Sequence, residues 1–374
     1  MSRSATTLCA LTLLSLLSFG PGCRLTQRDT VVDQLIDRDA ESGGLRILEK
    51  IPGADLFGIA PPLEDSQKLG LYAVTPFDQS KIPVVLIHGL VSDPNTWAEM
   101  LEQLSEEPEI VRNYQFWTFL YRPENSLLKS ASDLRGSLQD AMLQLDPKSE
   151  HARLSNMVLI GHSIGGLLAK FQVTHSERRL WDAVSDQPIE SQTVDSALRS
   201  AIQDAFIFEP QPMVRKVIYI GVPHIDTVQG KDGSRRLGHR LFELPASLRQ
   251  GYRKLVEGDE SPLIDDEMGI QIEDNPLVAE SPILKATNEL RLGNEVTIHS
   301  IIGNGGSSAE GLPGDGLVSV ASAKFKDSES NWYVSAPRAE LHRADDSIRE
   351  VKRILLQHLK DTLPQSDSPI EPNP

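Results

Sequence analysis

Short apolar runs recur through the middle of the chain, each separated from the next by enough residues for one helix. Runs of this kind stand at 82–88, 115–121, 156–161, 215–221 and 295–302, after a first one at Leu71-Tyr72-Ala73-Val74. Between several of them the apolar positions fall three and four apart, as in Asn95–Leu104 and Ser130–Leu143, which predicts helices. Strands that are apolar throughout and alternate with helices belong to an α/β protein. Its central sheet is mostly parallel and is covered by helices on both faces. Right-handed crossovers then place the loops that can carry chemistry at the carboxyl ends of the strands.

Two segments exceed what such a core needs. Residues 176–213 are charged and mostly helical in pattern. Residues 225–292 carry acidic runs at Asp259-Glu260 and Asp265-Asp266-Glu267. Within the second, Leu237, Leu241, Leu244, Leu248, Tyr252 and Leu255 recur at helical spacing, interrupted by Pro245. The pattern suits either a helix packed on the core or an inserted cap over the site. The expected domain runs over 70–363, followed by a Pro/Ser/Asp-rich tail at 364–374 whose composition predicts disorder.

The amino-terminal region has a different character. Arg3 precedes an apolar run from Leu8 to Phe19, too short to span a bilayer, and Gly20-Pro21-Gly22-Cys23 follows. Small residues directly before a cysteine resemble a bacterial lipoprotein signal, with 1–22 removed and Cys23 lipidated. A plain secretory signal is the alternative. Residues 23–69 then read as a tether and lead-in. Both cysteines of the chain lie within its first 23 residues, so the expected domain has no disulfide.

Charge narrows the function. A formal net charge of −16 disfavours binding to a nucleic-acid backbone. No Walker loop, dinucleotide fingerprint or Cys/His cluster with metal spacing is present in the sequence.

The chemistry concentrates at Gly161-His162-Ser163-Ile164-Gly165, a G-x-S-x-G run between an apolar strand and the helical stretch Gly166–Phe171. A serine at such a sharp strand-to-helix turn is presented at the top of a parallel sheet, and the glycines make room for the close approach of strand and helix. One strand-helix-strand step earlier, the run from Ile82 ends in His88-Gly89-Leu90. A turn there can aim a backbone N–H at a carbonyl under attack. The oxyanion hole is accordingly assigned to the N–H groups of Leu90 and Ile164.

A serine hydroxyl needs a base, and this arrangement places the base after the last long strand. Only His342 and His358 lie beyond 295–302. His358 shares the apolar face of the final helix with Val351 and Leu355, which makes it a packing residue. His342 precedes that helix, whose start is expected at the capping box Ser347-x-x-Glu350, and is the predicted base. Asp315, in Gly314-Asp315-Gly316-Leu317-Val318, is the predicted acid, with Asp226 the rival after the preceding strand.

Together His88-Gly89-Leu90, Gly161–Gly166, Gly221-Val222-Pro223-His224, Asp315-Gly316-Leu317-Val318 and His342 resemble the α/β-hydrolase superfamily. The branch most similar is that of secreted bacterial triacylglycerol lipases and GPI-inositol-deacylase-like esterases. The resemblance implies a Ser163–His342–Asp315 triad, an acyl-enzyme and no cofactor. Such lipases often hold calcium through an aspartate two residues after the histidine. Here that position is Ala344, with Asp345 and Asp346 following, so no metal is expected. The expected activity is hydrolysis of carboxylic esters, acyl lipids included, by a chain exported and lipid-anchored to a bacterial membrane. The alternatives are a catalytically silent scaffold acting as a surface-anchored binding protein, and an acyltransferase using the same triad.

Overall fold

The structure is a computed structural model that describes residues 46–47, 69–74, 77–89, 92, 94–121, 127–183, 185, 187–191, 196–224, 282–307 and 311–362. Eight strands form one sheet: β1 (Arg46–Ile47), β2 (Gly70–Ala73), β3 (Ile82–Ile87), β4 (Tyr114–Leu120), β5 (Met157–His162), β6 (Val214–Ile220), β7 (Thr297–Gly303) and β8 (Ser330–Val334). Their order across the sheet is β1-β2-β4-β3-β5-β6-β7-β8. Every pairing is parallel except β2 with β4, which is antiparallel. The mostly parallel α/β sheet expected from the apolar runs is therefore present, with the strand order of the α/β-hydrolase fold.

Burial explains why these runs pair as they do. Every residue of β3 and β5 is buried, and Ile82, Val84–Ile87 and Met157–Ile160 have no exposed surface. Strands apolar on both sides need cover on both faces of the sheet. Helix α1 (Ala98–Ser105), α2 (Pro108–Asn113), α3 (Leu127–Leu145) and α4 (Ile164–Lys170) follow in chain order. They are joined by α5 (Arg179–Asp182), α6 (Ser196–Phe206), α7 (Pro282–Glu289), α8 (Val320–Ala323) and α9 (Asp345–Thr362). One group packs α4 on β3, β5 and β6, with α3 and α6 behind it. The other packs α9 with α1 and α2 against β4 and β8.

Three expectations at the periphery are corrected. The first strand pair includes Arg46–Ile47, inside the segment read as tether, where they pair with Tyr72 and Ala73. The edge strand β8 was not expected at all, because Ser-Asn-Trp-Tyr-Val has no continuous apolar run, and Trp332 and Tyr333 remain exposed. The last helix begins at Asp345, not at a capping box. Ser347 is buried within it with an unpartnered hydroxyl, and Glu350 pairs with Arg353 at 2.7 Å. His358 is the packing residue expected, with its Nδ1 2.8 Å from the Tyr114 hydroxyl.

Candidate active site

Ser163 follows β5 directly and caps α4 with φ 56° and ψ −124°. A non-glycine residue held at positive φ costs about 1–3 kcal/mol and persists only where its surroundings dictate it. Here the glycines do so. A Cβ on Gly165 would lie 2.2 Å from the carbonyl oxygen of Ile87, and one on Gly161 would lie 2.5 Å from the backbone of Gly166. Only hydrogen at these positions lets α4 start against the end of β3. Ser163 N–H donates to the carbonyl of Ile220 at 2.9 Å, tying the turn to β6 as well.

The end of β3 comes up against this turn. A Cβ on Gly89 would meet both His162 Nδ1 and Ser163 Cβ at 3.3 Å. His88 is buried, stacked on Tyr121 at 4.4 Å, and its Nδ1 lies 2.8 Å from the Gly89 carbonyl oxygen. Burial lowers its pKa to about 4, so it is neutral. Ile164 opens α4, so its N–H is among the helix's first and has no carbonyl four residues back within the helix. Leu90, Cys23 and Asp226 lie outside the described residues, as do residues 225–281 of the expected cap.

Asp315 reaches the same place from the loop after β7. The residue is 2 % exposed. Its Oδ1 accepts from the N–H groups of Leu317 (3.0 Å) and Val318 (2.8 Å). Its Oδ2 accepts from Arg338 Nη1 at 3.1 Å. The Oδ2 oxygen lies near Gly221, where a Cβ would approach it to 3.2 Å.

His342 is also brought close, but not into the predicted contacts. Its ring packs 4.3 Å from that of His162 and edge-on to Trp97 at 5.4 Å. Its Nε2 lies 2.5 Å from Thr96 Oγ1, and its Nδ1 is buried without a partner. The expected bond from His342 Nδ1 to Asp315 is not formed. Burial, with Arg343 adding to it, lowers the His342 pKa to about 4.

The residue between Ser163 and Asp315 is Arg338. Its Nη2 donates to Ser163 Oγ at 2.5 Å, and its Nη1 donates to both Asp315 Oδ2 and the Gly221 carbonyl oxygen (2.9 Å). Its backbone N–H donates to the Asp315 carbonyl oxygen at 2.7 Å, which fastens the loop after β8 to the loop after β7. Burial lowers the guanidinium pKa while Asp315 opposes the shift. A search for histidines in this loop passes over Arg338, although it stands only four residues before His342. Thr96, within the predicted helix Asn95–Leu104, and His162, inside the G-x-S-x-G run, carried no signal of their own.

A second buried cluster lies behind α4. Lys170 is 1 % exposed, with its Nζ 3.2 Å from Asn288 Oδ1 and 5.4 Å from the Phe325 ring centre. Burial lowers its pKa to about 7. His224 packs on Tyr219 and Phe325, and burial keeps its imidazole neutral, with the charge of Lys170 acting in the same direction.

No protein-family model and no curated protein sequence matches the chain. Among solved structures, a mature lipase of Bacillus licheniformis is similar over 77 % of this chain and 97 % of its own, at 15 % identity and a TM-score of 0.41. A butyrate-bound thermophilic esterase of the planctomycete Thermogutta terrifontis is similar over 79 % and 90 %, at 14 % identity and a TM-score of 0.42. A lipase-esterase related protein of Clostridium acetobutylicum is similar over 78 % and 99 %, at 10 % identity and a TM-score of 0.39. Likenesses this distant carry no information on what Ser163 does.

Proposed function

We propose that this chain hydrolyses carboxylic esters, acyl lipids among them, with Ser163 as nucleophile. The observation that carries the reading is the backbone of Ser163, held at φ 56° by glycines on both sides at the carboxyl edge of the sheet. A strain that several residues conspire to keep is characteristic of a reacting position. In this reading Ser163 Oγ attacks the ester carbonyl and its proton passes to the imidazole of His342. The oxyanion is met by the N–H groups of Leu90 and Ile164, and Asp315 orients the imidazole through Nδ1. The protonated imidazole then gives its proton to the leaving alcohol. Water, activated by the same base, releases the acid from the acyl-enzyme. Because His342 is bonded to Thr96 in the arrangement described, the loop after β8 must first carry it to Ser163.

The enzyme would be exported and held at a membrane through lipidated Cys23. A panel of p-nitrophenyl esters of graded chain length tests the activity. Hydrolysis by the wild type that disappears in Ser163→Ala and in His342→Ala supports it. Hydrolysis undiminished in either variant contradicts the assigned roles.

A second reading is favoured by one observation, the guanidinium between Ser163 and Asp315. If that arrangement is permanent, the chain is a catalytically silent scaffold that binds its ligand without turnover. A wild type that retains an ester on the protein but releases no alcohol supports this reading over the first.

A further inference from the structure

A hydroxyl that is to attack must give its proton to an acceptor. The partner of Ser163 Oγ is a donor. Arg338 carries five N–H groups and no acceptor. The guanidinium keeps its charge beside the Asp315 carboxylate, since arginine is not deprotonated in proteins. The side chain also fills the space where a base would have to stand, because one guanidinium touches both Ser163 Oγ and Asp315 Oδ2.

We infer that Arg338 restrains the site: it holds Ser163 unreactive by occupying the base position, and Ser163 attacks a carbonyl only once the guanidinium has withdrawn. The inference rests on the reading of Ser163 as a nucleophile. Three features of the surroundings support it. The guanidinium is anchored through Nη1 by both Asp315 and the Gly221 carbonyl oxygen, so it is a built position rather than a stray rotamer. The loop that carries it is fixed to Asp315 through the backbone. The imidazoles nearby are directed elsewhere: His342 to Thr96, His162 Nε2 to the Arg338 carbonyl oxygen at 3.2 Å, and His88 to the Gly89 carbonyl oxygen. An arginine serving as an oxyanion donor would point at the carbonyl oxygen of the substrate. This one donates to the nucleophile itself, which occupies one of the oxygen's two lone pairs and draws electron density away from it.

The test is the rate at which a fluorophosphonate probe labels Ser163, read by intact mass and peptide mapping, in wild type, Arg338→His, Arg338→Gln and Ser163→Ala. Histidine offers an acceptor from the same loop, and glutamine keeps a donor for Asp315 while removing the charge. Labelling at Ser163 is expected to accelerate in both, by about 10²-fold for histidine, the scale of a positioned base. Rates unchanged or slower in variants shown to be folded by circular dichroism overturn the restraint. A probe that never labels Ser163 in any of these proteins instead removes the nucleophile reading beneath it. Should both variants fail to fold, the phosphonylated wild type decides by crystallography. Arg338 displaced from Ser163 Oγ supports the restraint, and Arg338 still bonded there overturns it.

Discussion

Arg338 and Asp315 form an ion pair at 3.1 Å in which the carboxylate side chain is 1 % exposed and the guanidinium side chain 14 %. Two charges this far from water are tolerable only together, since each offsets the desolvation of the other. The pair is also what joins the acid, the nucleophile and the loop after β8 into one unit.

Asp315→Asn is therefore expected to destabilise as well as inactivate. It leaves a buried guanidinium unpaired, which costs about 3–5 kcal/mol by the scale of broken buried pairs. Chemical denaturation should show that loss, and ester hydrolysis should fall by orders of magnitude. Asp226→Asn should change neither. The reverse result would place the acid after β6 and assign Asp315 to structure alone.

Lys170 predicts a pH dependence of stability. Its pKa falls from 10.5 to about 7 on folding because burial disfavours the ammonium. Between those values the unfolded chain binds the extra proton, so stability rises with pH across the window and is lost as pH falls through about 7. The slope from this one group is at most about 1.4 kcal/mol per pH unit. Denaturation midpoints measured from pH 7 to pH 10 should rise more steeply in the wild type than in Lys170→Met. Parallel curves would mean that Lys170 stays charged in the fold.

The amino-terminal reading has its own test. A diacylated cysteine holds a chain on a bilayer by burying acyl methylenes at about 0.8 kcal/mol each. Cys23→Ser is expected to release the chain into the soluble fraction. Mass spectrometry of the wild type should find a lipid-modified Cys23 as the first residue. An unmodified amino terminus would contradict the anchor.

How much the sequence disclosed follows from which forces dominate locally. Strands β3 to β7 were legible to within two residues because burial on both faces makes them mostly apolar, and the glycines around Ser163 were legible because only their absence of a side chain fits. Edge strand β8 carries no such pattern, since three of its five residues are exposed to solvent. Within the site, the sequence predicts Ser163 and Asp315 bridged by His342, whereas the structure brings both to a single guanidinium and turns His342 to Thr96. The neighbour itself was missed. Base-seeking by residue type admits only histidine, whereas occupancy of the space between two side chains is decided by loop geometry. The approach of Arg338 through its backbone bond to Asp315 depends on residues far apart in sequence.

The most direct test of the account is to trap its intermediate. Wild-type protein mixed with p-nitrophenyl butyrate, quenched in acid and mapped by tandem mass spectrometry should carry a butyryl group on Ser163 and on no other residue. Ser163→Ala treated the same way should carry none and release no p-nitrophenol above background. Turnover that persists in Ser163→Ala, or a butyryl group found at another side chain, would contradict Ser163 as the nucleophile.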